Sequence, residues 1–274
     1  SIEKKLFRNP ALHLGEGYMN EEILIQKGTI EELIDIVTSC YDDFIRNNSI
    51  YRFYENFSGY VKVFQQLNEA VKSKQNVAHH YDLKEDLYKL FLDKDMQYSC
   101  AYFHNQNISL DQAQMDKKKH IINKLQIEEN MSVLDIGCGW GGMALEIAKQ
   151  TGAKVKGITL SENQFVTASR RAQEEGLSDK VSFQIQDYRD EKFKYDRIVS
   201  IGMFEHVGIK YFKPYLKKTY DLLKDNGVFL LHTIGQRGIP TATSPWIRKY
   251  IFPGGYIPSL SDIIIETQKL NINI

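Results

Sequence analysis

The sequence predicts an α/β fold with a doubly wound, mostly parallel sheet, preceded by N-terminal helical segments. One observation is an apolar segment at 133–136 that runs into three glycines at alternate positions, Gly137, Gly139 and Gly141, and then into a helical pattern. A second observation is that apolar strands alternate with amphipathic helices along the residues that follow. This alternation is typical of a parallel sheet that helices cover on both faces.

The individual elements are assigned in order from hydrophobic periodicity and from helix start and stop signals. Helices at 85–92 and 110–125 precede the first strand. After the glycines come a helix at 142–151, a strand at 154–159, a helix at 162–176, strands at 181–186 and 195–201, a helix around 211–223, a turn at 226–227 and a strand at 228–233. The order of these elements predicts five strands joined by helical crossovers.

The N-terminal region has a different character. An amphipathic helix is predicted at 29–47, with Thr29 and Glu32 in capping-box spacing. The aromatic-rich stretch at 49–66 favours a helical core face, with a lipid-facing surface as the alternative. The polar segment at 72–76 predicts a boundary between a mainly helical accessory domain at 1–75 and a second domain at 76–274.

Composition excludes several classes of protein. The formal net charge is +0 over 274 residues, so nothing global favours nucleic acid. Three cysteines far apart in sequence indicate a reducing compartment and no metal centre. No apolar run reaches the roughly 18 residues that a membrane span needs, and no signal peptide is evident. These observations predict a cytoplasmic protein. The basic cluster at 117–119 is interpreted as a solvated helix face, with contact to anionic headgroups as the alternative.

The glycine turn predicts a cofactor site. Glycines at these positions let backbone N–H groups approach a ligand closely, and the start of the next helix favours an anionic group. The spacing G-x-G-x-G departs from the dinucleotide pattern G-x-G-x-x-G, which favours S-adenosylmethionine over NAD. A tight turn without a ligand is the alternative. Thr159, Asp187, the segment 202–206 and His232 also lie at the carboxyl ends of predicted strands, so they are expected to converge with the turn.

Seven ordered motifs extend this picture. They are HYDL at 80–83, MQYSCAYF at 96–103, VLDIGCGWGG at 133–142, TLSENQ at 159–164, QDYRD at 186–190, RIVSIGMFEHVG at 197–208 and FLLHTIG at 229–235. Together they resemble the cyclopropane-fatty-acyl-phospholipid synthase family, which includes the mycolic acid cyclopropane synthases. The resemblance implies a Rossmann-like class I S-adenosylmethionine-dependent methyltransferase at 76–274.

The implied activity is transfer of a methylene carbon from S-adenosylmethionine to a cis double bond of a phospholipid acyl chain, which forms a cyclopropane ring. By resemblance, the base is a bound bicarbonate held by Cys100, Glu205, His232 and the backbone of Ile234. The resemblance also implies a set of cofactor contacts: Tyr98, Ser99, Val133, Leu134, Asp135, Gly137, Gly139, Trp140, Gly141, Thr159, Leu160, Gln164, Asp187 and Tyr188.

The implied partner is unsaturated phospholipid at the membrane surface, reached by peripheral contact with the inner face, while self-association into a homodimer is left open. The alternatives are a related methyltransferase acting on another lipid or on a small-molecule amine, and an inactive fragment. Members of the family continue beyond residue 274. We therefore expect residues 270–274 to open a sixth strand, the final strands of the sheet to be missing, and this truncated polypeptide to be inactive.

Overall fold

The computed structural model describes residues 1–47, 85–236, 243–270, 272 and 273. The chain forms two compact units, one of Ser1–Leu67 with Thr241–Gly255 and the other of Asn68–Pro240 with Tyr256–Ile274. The predicted boundary at 75/76, the aromatic stretch at 49–66 and the HYDL motif at 80–83 lie outside the described residues.

The elements are numbered in chain order. They are α1 (Ile2–Arg8), α2 (Pro10–Met19), α3 (Ile30–Asn47), α4 (Glu85–Lys89), α5 (Leu110–Leu125), β1 (Ser132–Ile136), α6 (Gly142–Thr151), β2 (Lys154–Thr159), α7 (Glu162–Glu174), β3 (Val181–Ile185), β4 (Tyr195–Ile201), α8 (Phe212–Asp221), β5 (Leu223–His232), α9 (Pro245–Tyr250) and α10 (Leu260–Lys269). Most bounds agree with the sequence-based assignment to within two or three residues.

In the first unit, α3 begins with the predicted capping box. The Glu32 backbone N–H donates to Thr29 Oγ1 at 3.2 Å, and the Thr29 N–H donates to Glu32 Oε2 at 2.9 Å. Helix α9 packs on α2, where Lys249 Nζ and the Tyr250 hydroxyl both donate to Glu16 Oε1, at 2.6 and 2.8 Å. These contacts lower the pKa of Glu16 to about 2.

The second unit contains a five-stranded sheet in the order β3-β2-β1-β4-β5, with every pair parallel. This confirms the predicted doubly wound arrangement, in which the strand order reverses between β1 and β4. Val133 packs with residues of α5 and α6 on one face, and Leu134 packs with Ile198 and Leu222 on the other. Successive side chains of β1 point to opposite faces, so this strand contributes to hydrophobic cores on both faces of the sheet.

Two sequence-based assignments are wrong. Strand β5 begins at Leu223, not at 228, because a register shift accommodates Asn226 at φ +61° while Leu223 still pairs with Tyr195. The described residues of the predicted sixth strand, 270, 272 and 273, are not in a strand. The backbone N–H groups of Leu270 and Ile272 instead donate to Thr267 O at the end of α10, so they serve the helix terminus. Residues 271 and 274 lie outside the described part.

A buried cluster of charges fixes the segment 93–99 against the glycine turn. Asp95 accepts from Lys118 Nζ at 2.7 Å and forms a second ion pair with Arg171, which also donates to Trp140 O at 2.9 Å. Burial alone would raise the pKa of Asp95, but Lys118 and Arg171 hold it below its ordinary value. The interpretation of 117–119 as a solvated face is wrong for Lys117 and Lys118, whose exposed fractions are both 3%.

Within the described ranges, no helix combines the length and the apolar character that crossing a membrane requires.

Replacing Asp95 with Asn should lower the free energy of unfolding by about 2 kcal/mol, because Lys118 and Arg171 then lose their shared, partly buried counter-ion and keep only the more distant Glu146 and Glu175. Urea unfolding measures this difference, and Asp86→Asn is the control because the Asp86 side chain is 87% exposed. Since the pKa of Asp95 is lowered in the folded state, the difference should shrink as the pH falls through that pKa. Equal stability of the two variants at neutral pH would contradict this role.

Candidate active site

A cleft of about 1130 Å³, open mouth included, lies at the carboxyl ends of β1, β2, β3 and β4. This is the edge at which parallel α/β sheets bind ligands. Its lining residues come from the segment before α5, the glycine turn, the four strand ends and the first turns of α6 and α7: Met96, Gln97, Tyr98, Ser99, Asp135, Ile136, Gly137, Cys138, Gly139, Trp140, Met143, Ile158, Thr159, Leu160, Gln164, Gln186, Asp187, Tyr188, Arg189, Ile201, Gly202, Met203, His206 and Val207.

The glycine turn is anchored to the neighbouring strand. The backbone N–H groups of Gly137 and Cys138 both donate to Ile158 O, at 2.9 and 3.1 Å. Gly139 has φ +56°, and a Cβ built there meets no atom within 4 Å. Gly141 has φ +87° and caps α6, and a Cβ there would lie 2.7 Å from the Phe183 ring. Gly139 therefore opens the cleft, whereas Gly141 permits close packing behind it.

Three of the predicted cofactor contacts do not line the cleft. Val133 and Leu134 have no exposed surface, because the side chains of β1 alternate into the two hydrophobic cores. Gly141 is absent from the lining because its face is packed against Phe183 and Ala168. The other predicted contacts line it: Tyr98, Ser99, Asp135, Gly137, Gly139, Trp140, Thr159, Leu160, Gln164, Asp187 and Tyr188.

Asp135, the penultimate residue of β1, carries a buried hydrogen-bond acceptor. Its side chain is 2% exposed, and Oδ2 has no hydrogen-bond partner among the described residues. Burial raises the pKa of Asp135 to about 7, although the nearby Lys117 opposes the rise. A positively charged ligand group in the cleft would satisfy this carboxylate.

The residues after β2 form a buried polar group. Thr159 Oγ1 donates to Gln164 Oε1 at 2.7 Å, and it accepts from the Ser161 backbone N–H at 3.2 Å. Ser161 in turn caps α7 by accepting from the Gln164 N–H at 3.3 Å. The cap of α7 thus fixes Thr159 and Gln164 at the wall of the cleft, next to Leu160.

After β3, Asp187 is paired with a residue that the sequence-based prediction missed. Arg189 donates to Asp187 through Nε at 2.8 Å and through a terminal nitrogen at 2.6 Å. The guanidinium lies 5.5 Å from the centre of the Tyr188 ring. Burial raises the pKa of Tyr188 to about 12. The spacing of Asp187 and Arg189 within QDYRD was the available signal for this pair.

The segment before α5 is held by polar residues of that helix. Gln114 Nε2 donates to the carbonyl oxygens of Gln97 and Ser99, at 3.2 and 2.9 Å. Lys117 Nζ donates to Gln97 Oε1 and Ser99 Oγ, at 3.1 and 2.8 Å. Sequence reasoning missed both helix residues. Their spacing of three, on the helix face that also buries Ala113 and Ile121, was the available signal.

The predicted base site is only partly assembled. The Ile234 backbone N–H donates to Glu205 Oε1 at 2.6 Å, and Glu205 is 8% exposed. Glu205 Oε2 and His232 Nδ1 are buried without a hydrogen-bond partner among the described residues. Burial raises the pKa of Glu205 and lowers that of His232. Cys100 is exposed, and none of these four residues lines the cleft.

The family model described as mycolic acid cyclopropane synthetase matches residues 68–274. The chain belongs to this family. A domain of unknown function, DUF7884, matches residues 2–49. The match confirms the predicted family, and the sheet order with its covering helices is that of a class I S-adenosylmethionine-dependent methyltransferase.

The relatives cover the chain unequally. The cyclopropane-fatty-acyl-phospholipid synthase of Escherichia coli strain K12 is 48% identical over 184 residues, which are 67% of this chain and 47% of that protein. The chain thus spans about half the length of that curated relative. Two solved structures, the cyclopropane synthase MmaA2 of Mycobacterium tuberculosis and the mycolic acid cyclopropane synthase CmaA1 complexed with SAH and CTAB, each match with a TM-score of 0.67 at 33% identity, covering 72% of this chain and 73% of theirs.

Alanine substitutions of Gly139 and Gly141 distinguish an effect on ligand binding from an effect on packing. Gly139→Ala should destabilise the fold by about 1 kcal/mol, the cost of a left-handed alanine, and should weaken binding of S-adenosylhomocysteine. Gly141→Ala should lose about 2 kcal/mol more, because its Cβ overlaps the Phe183 ring. Thermal unfolding and calorimetric titration measure the two effects. Unchanged ligand affinity in Gly139→Ala would place the ligand elsewhere.

Proposed function

We propose that this protein transfers a methylene carbon from S-adenosylmethionine to a cis double bond of phospholipid acyl chains and closes a cyclopropane ring. The observation that carries the choice of substrate is the 48% identity to the E. coli cyclopropane-fatty-acyl-phospholipid synthase. The cleft at the carboxyl edge of the sheet supports the choice of cofactor, since it has the position expected for a nucleotide-type ligand.

The residues of the cleft fit S-adenosylmethionine. Gly139 leaves open space where a side chain would otherwise stand, and Asp135 offers a buried acceptor without a partner among the described residues. The cofactor carries an ammonium and a sulfonium, and either charge suits a carboxylate in this position. When bound, the cofactor would supply an electrophilic methyl carbon.

An alkene is a weak nucleophile, so the protein must align it with the methyl carbon in a dry site. Transfer of the methyl carbon would replace its bond to the cofactor sulfur with a bond to the lipid, and it would leave a positive charge on the lipid. Aromatic faces stabilise such a charge. Tyr98 lines the cleft and packs with Tyr88 and Phe91, at centroid distances of 5.5 and 6.0 Å, so its ring is held at the wall.

Ring closure requires a base that removes a proton from the transferred carbon, so that the electrons of that C–H bond form the third side of the ring. We propose that Glu205 and His232 hold a bicarbonate that would supply this base. Glu205 Oε2 and His232 Nδ1, two buried atoms without a hydrogen-bond partner among the described residues, suit a small anion that is both donor and acceptor. In the present arrangement the Ile234 N–H orients Glu205, while Cys100 is assigned to this site by resemblance alone.

We propose that the substrate is reached from the cytoplasm at the inner face of the membrane. Apolar side chains on both sides of Tyr98 in sequence are exposed: Leu90 by 81%, Phe91 by 50%, Tyr102 by 47% and Phe103 by 51%. Exposed apolar groups on neighbouring segments are typical of a surface that contacts lipid.

Mass spectrometry of acyl chains tests the proposal. The full-length gene product that contains this sequence is expressed in a bacterium whose own cyclopropane synthase gene is deleted, with Asp135→Asn as the inactive control. We expect unsaturated chains to gain one CH₂ unit in the wild type alone. Chains that gain a methyl branch without a ring would restrict the function to methylation. An unchanged lipid profile together with methylation of a small amine would replace the lipid assignment.

Glu205→Gln should lower turnover by at least about ten-fold while leaving the affinity for S-adenosylhomocysteine within two-fold, because the amide removes an acceptor for the bicarbonate O–H. Added bicarbonate should restore part of the activity. The exposed Glu128→Gln serves as control. Full turnover of Glu205→Gln in bicarbonate-depleted buffer would refute the proposed anion site.

A further inference from the structure

We infer that Lys117 is a positioning residue that directs the Ser99 hydroxyl toward the carboxylate of the methionine part of the cofactor. This inference rests on the proposed function, since it assumes that an S-adenosyl amino acid occupies the cleft. It adds an anion-binding role for a buried ammonium on α5, a helix that contributes no lining residue to the cleft.

The geometry of Lys117 fits this role. Its side chain is 3% exposed, and Nζ donates to Ser99 Oγ at 2.8 Å and to Gln97 Oε1 at 3.1 Å. Gln114 on the same helix donates hydrogen bonds to the backbone carbonyl oxygens of Gln97 and Ser99. The backbone and the hydroxyl of Ser99 are thus fixed by α5, and Ser99 also lines the cleft.

The direction of the hydrogen bond decides what Ser99 offers to the cleft. An ammonium is a donor only, so Ser99 Oγ must accept from Lys117. The Ser99 hydroxyl hydrogen then points away from Nζ and is available to an acceptor on the cleft side. A carboxylate is the acceptor that gains most from such a donor, since the bond is charge-assisted and the ammonium lies directly behind it.

The charge of Lys117 is also unbalanced at close range. Its direct partners are neutral oxygens, and among the described residues no carboxylate lies within ion-pair distance of Nζ. The ionisable groups that face it are Asp93, Asp95, Cys100, Lys118, Asp135 and His232. Asp95 is already shared by Lys118 and Arg171, and Asp93 accepts from the backbone of Asp95 and Gln97. A ligand carboxylate would supply the missing counter-charge.

The pH dependence of binding follows from two buried groups. Burial lowers the pKa of Lys117 to about 8, so its charge is present below that pH and is lost above it. Burial raises the pKa of Asp135 to about 7, so its charge is present above that pH. A zwitterionic amino acid group therefore binds best between about pH 7 and 8. Lys117 sets the alkaline limit and Asp135 the acidic one.

Calorimetry with two ligands tests this role. S-adenosylhomocysteine carries the amino acid group, whereas 5′-methylthioadenosine has the same nucleoside and thioether but lacks it. At pH 7.5, Lys117→Met should weaken binding of the first by about ten-fold and of the second by less than two-fold. Lys117→Arg should restore affinity and keep it at pH 9, and Lys119→Met is the control because Lys119 is exposed.

Equal weakening of both ligands by Lys117→Met would mean that Lys117 only supports the fold, which would overturn the inference. If Lys117→Met does not fold, the wild-type protein alone provides the test of the inference. Its affinity for S-adenosylhomocysteine, relative to 5′-methylthioadenosine, must fall as the pH rises through about 8, and a flat ratio would also overturn the inference. A wild-type protein that binds neither ligand would instead overturn the proposed cofactor.

Discussion

The cleft depends on the buried ionic contact between Asp95 and its two partners, Lys118 and Arg171. Asp95 lies in a segment without regular structure, while its partners lie on α5 and α7. The Asp95 carboxylate lies next to Gly142, and its partner Arg171 also donates to the carbonyl oxygen of Trp140. Asp95 thereby connects this segment to the glycine turn. Without this contact the segment that carries Tyr98 and Ser99 would be held only by the hydrogen bonds from Gln114 and Lys117 of α5. Burying charged groups costs free energy, so we interpret these contacts as fixing the position of the segment 93–99 more than as stabilising the fold.

The sequence predicted the sheet well because each strand combines apolar periodicity with a clear break. The glycines after β1 and the cap at Ser161 mark where α6 and α7 begin, and these starts agree with the structure. The errors arose where tertiary contacts decide the conformation. Asn226 in a left-handed conformation resembles a turn in sequence, yet β4 pairs on both sides of it.

The site was predicted less completely than the fold, and for a physical reason. Motif residues such as Thr159 and Asp187 follow strands, so topology alone brings them to one edge. Val133 and Leu134 belong to the same motif, but the alternation of β1 directs them into the cores. Lys117 lies in a run of three lysines that reads as a solvated face. Only the packing of α5 against the segment 93–99 distinguishes its buried lysines from the exposed one.

Two ionisable groups, Asp135 at the wall of the cleft and Lys117 behind it, are only partly compensated by the fold. Asp135 and Lys117 both have pKa values shifted toward their neutral forms, by burial in each case, which means that the folded protein disfavours both charges. A ligand that brings one positive and one negative group relieves both penalties at once. The same desolvation that makes these residues costly in the empty protein makes their contacts with a zwitterion strong, because no water competes for them. If the proposed function holds, affinity for the amino acid end of the cofactor follows from the burial of Lys117 on α5 and Asp135 on β1.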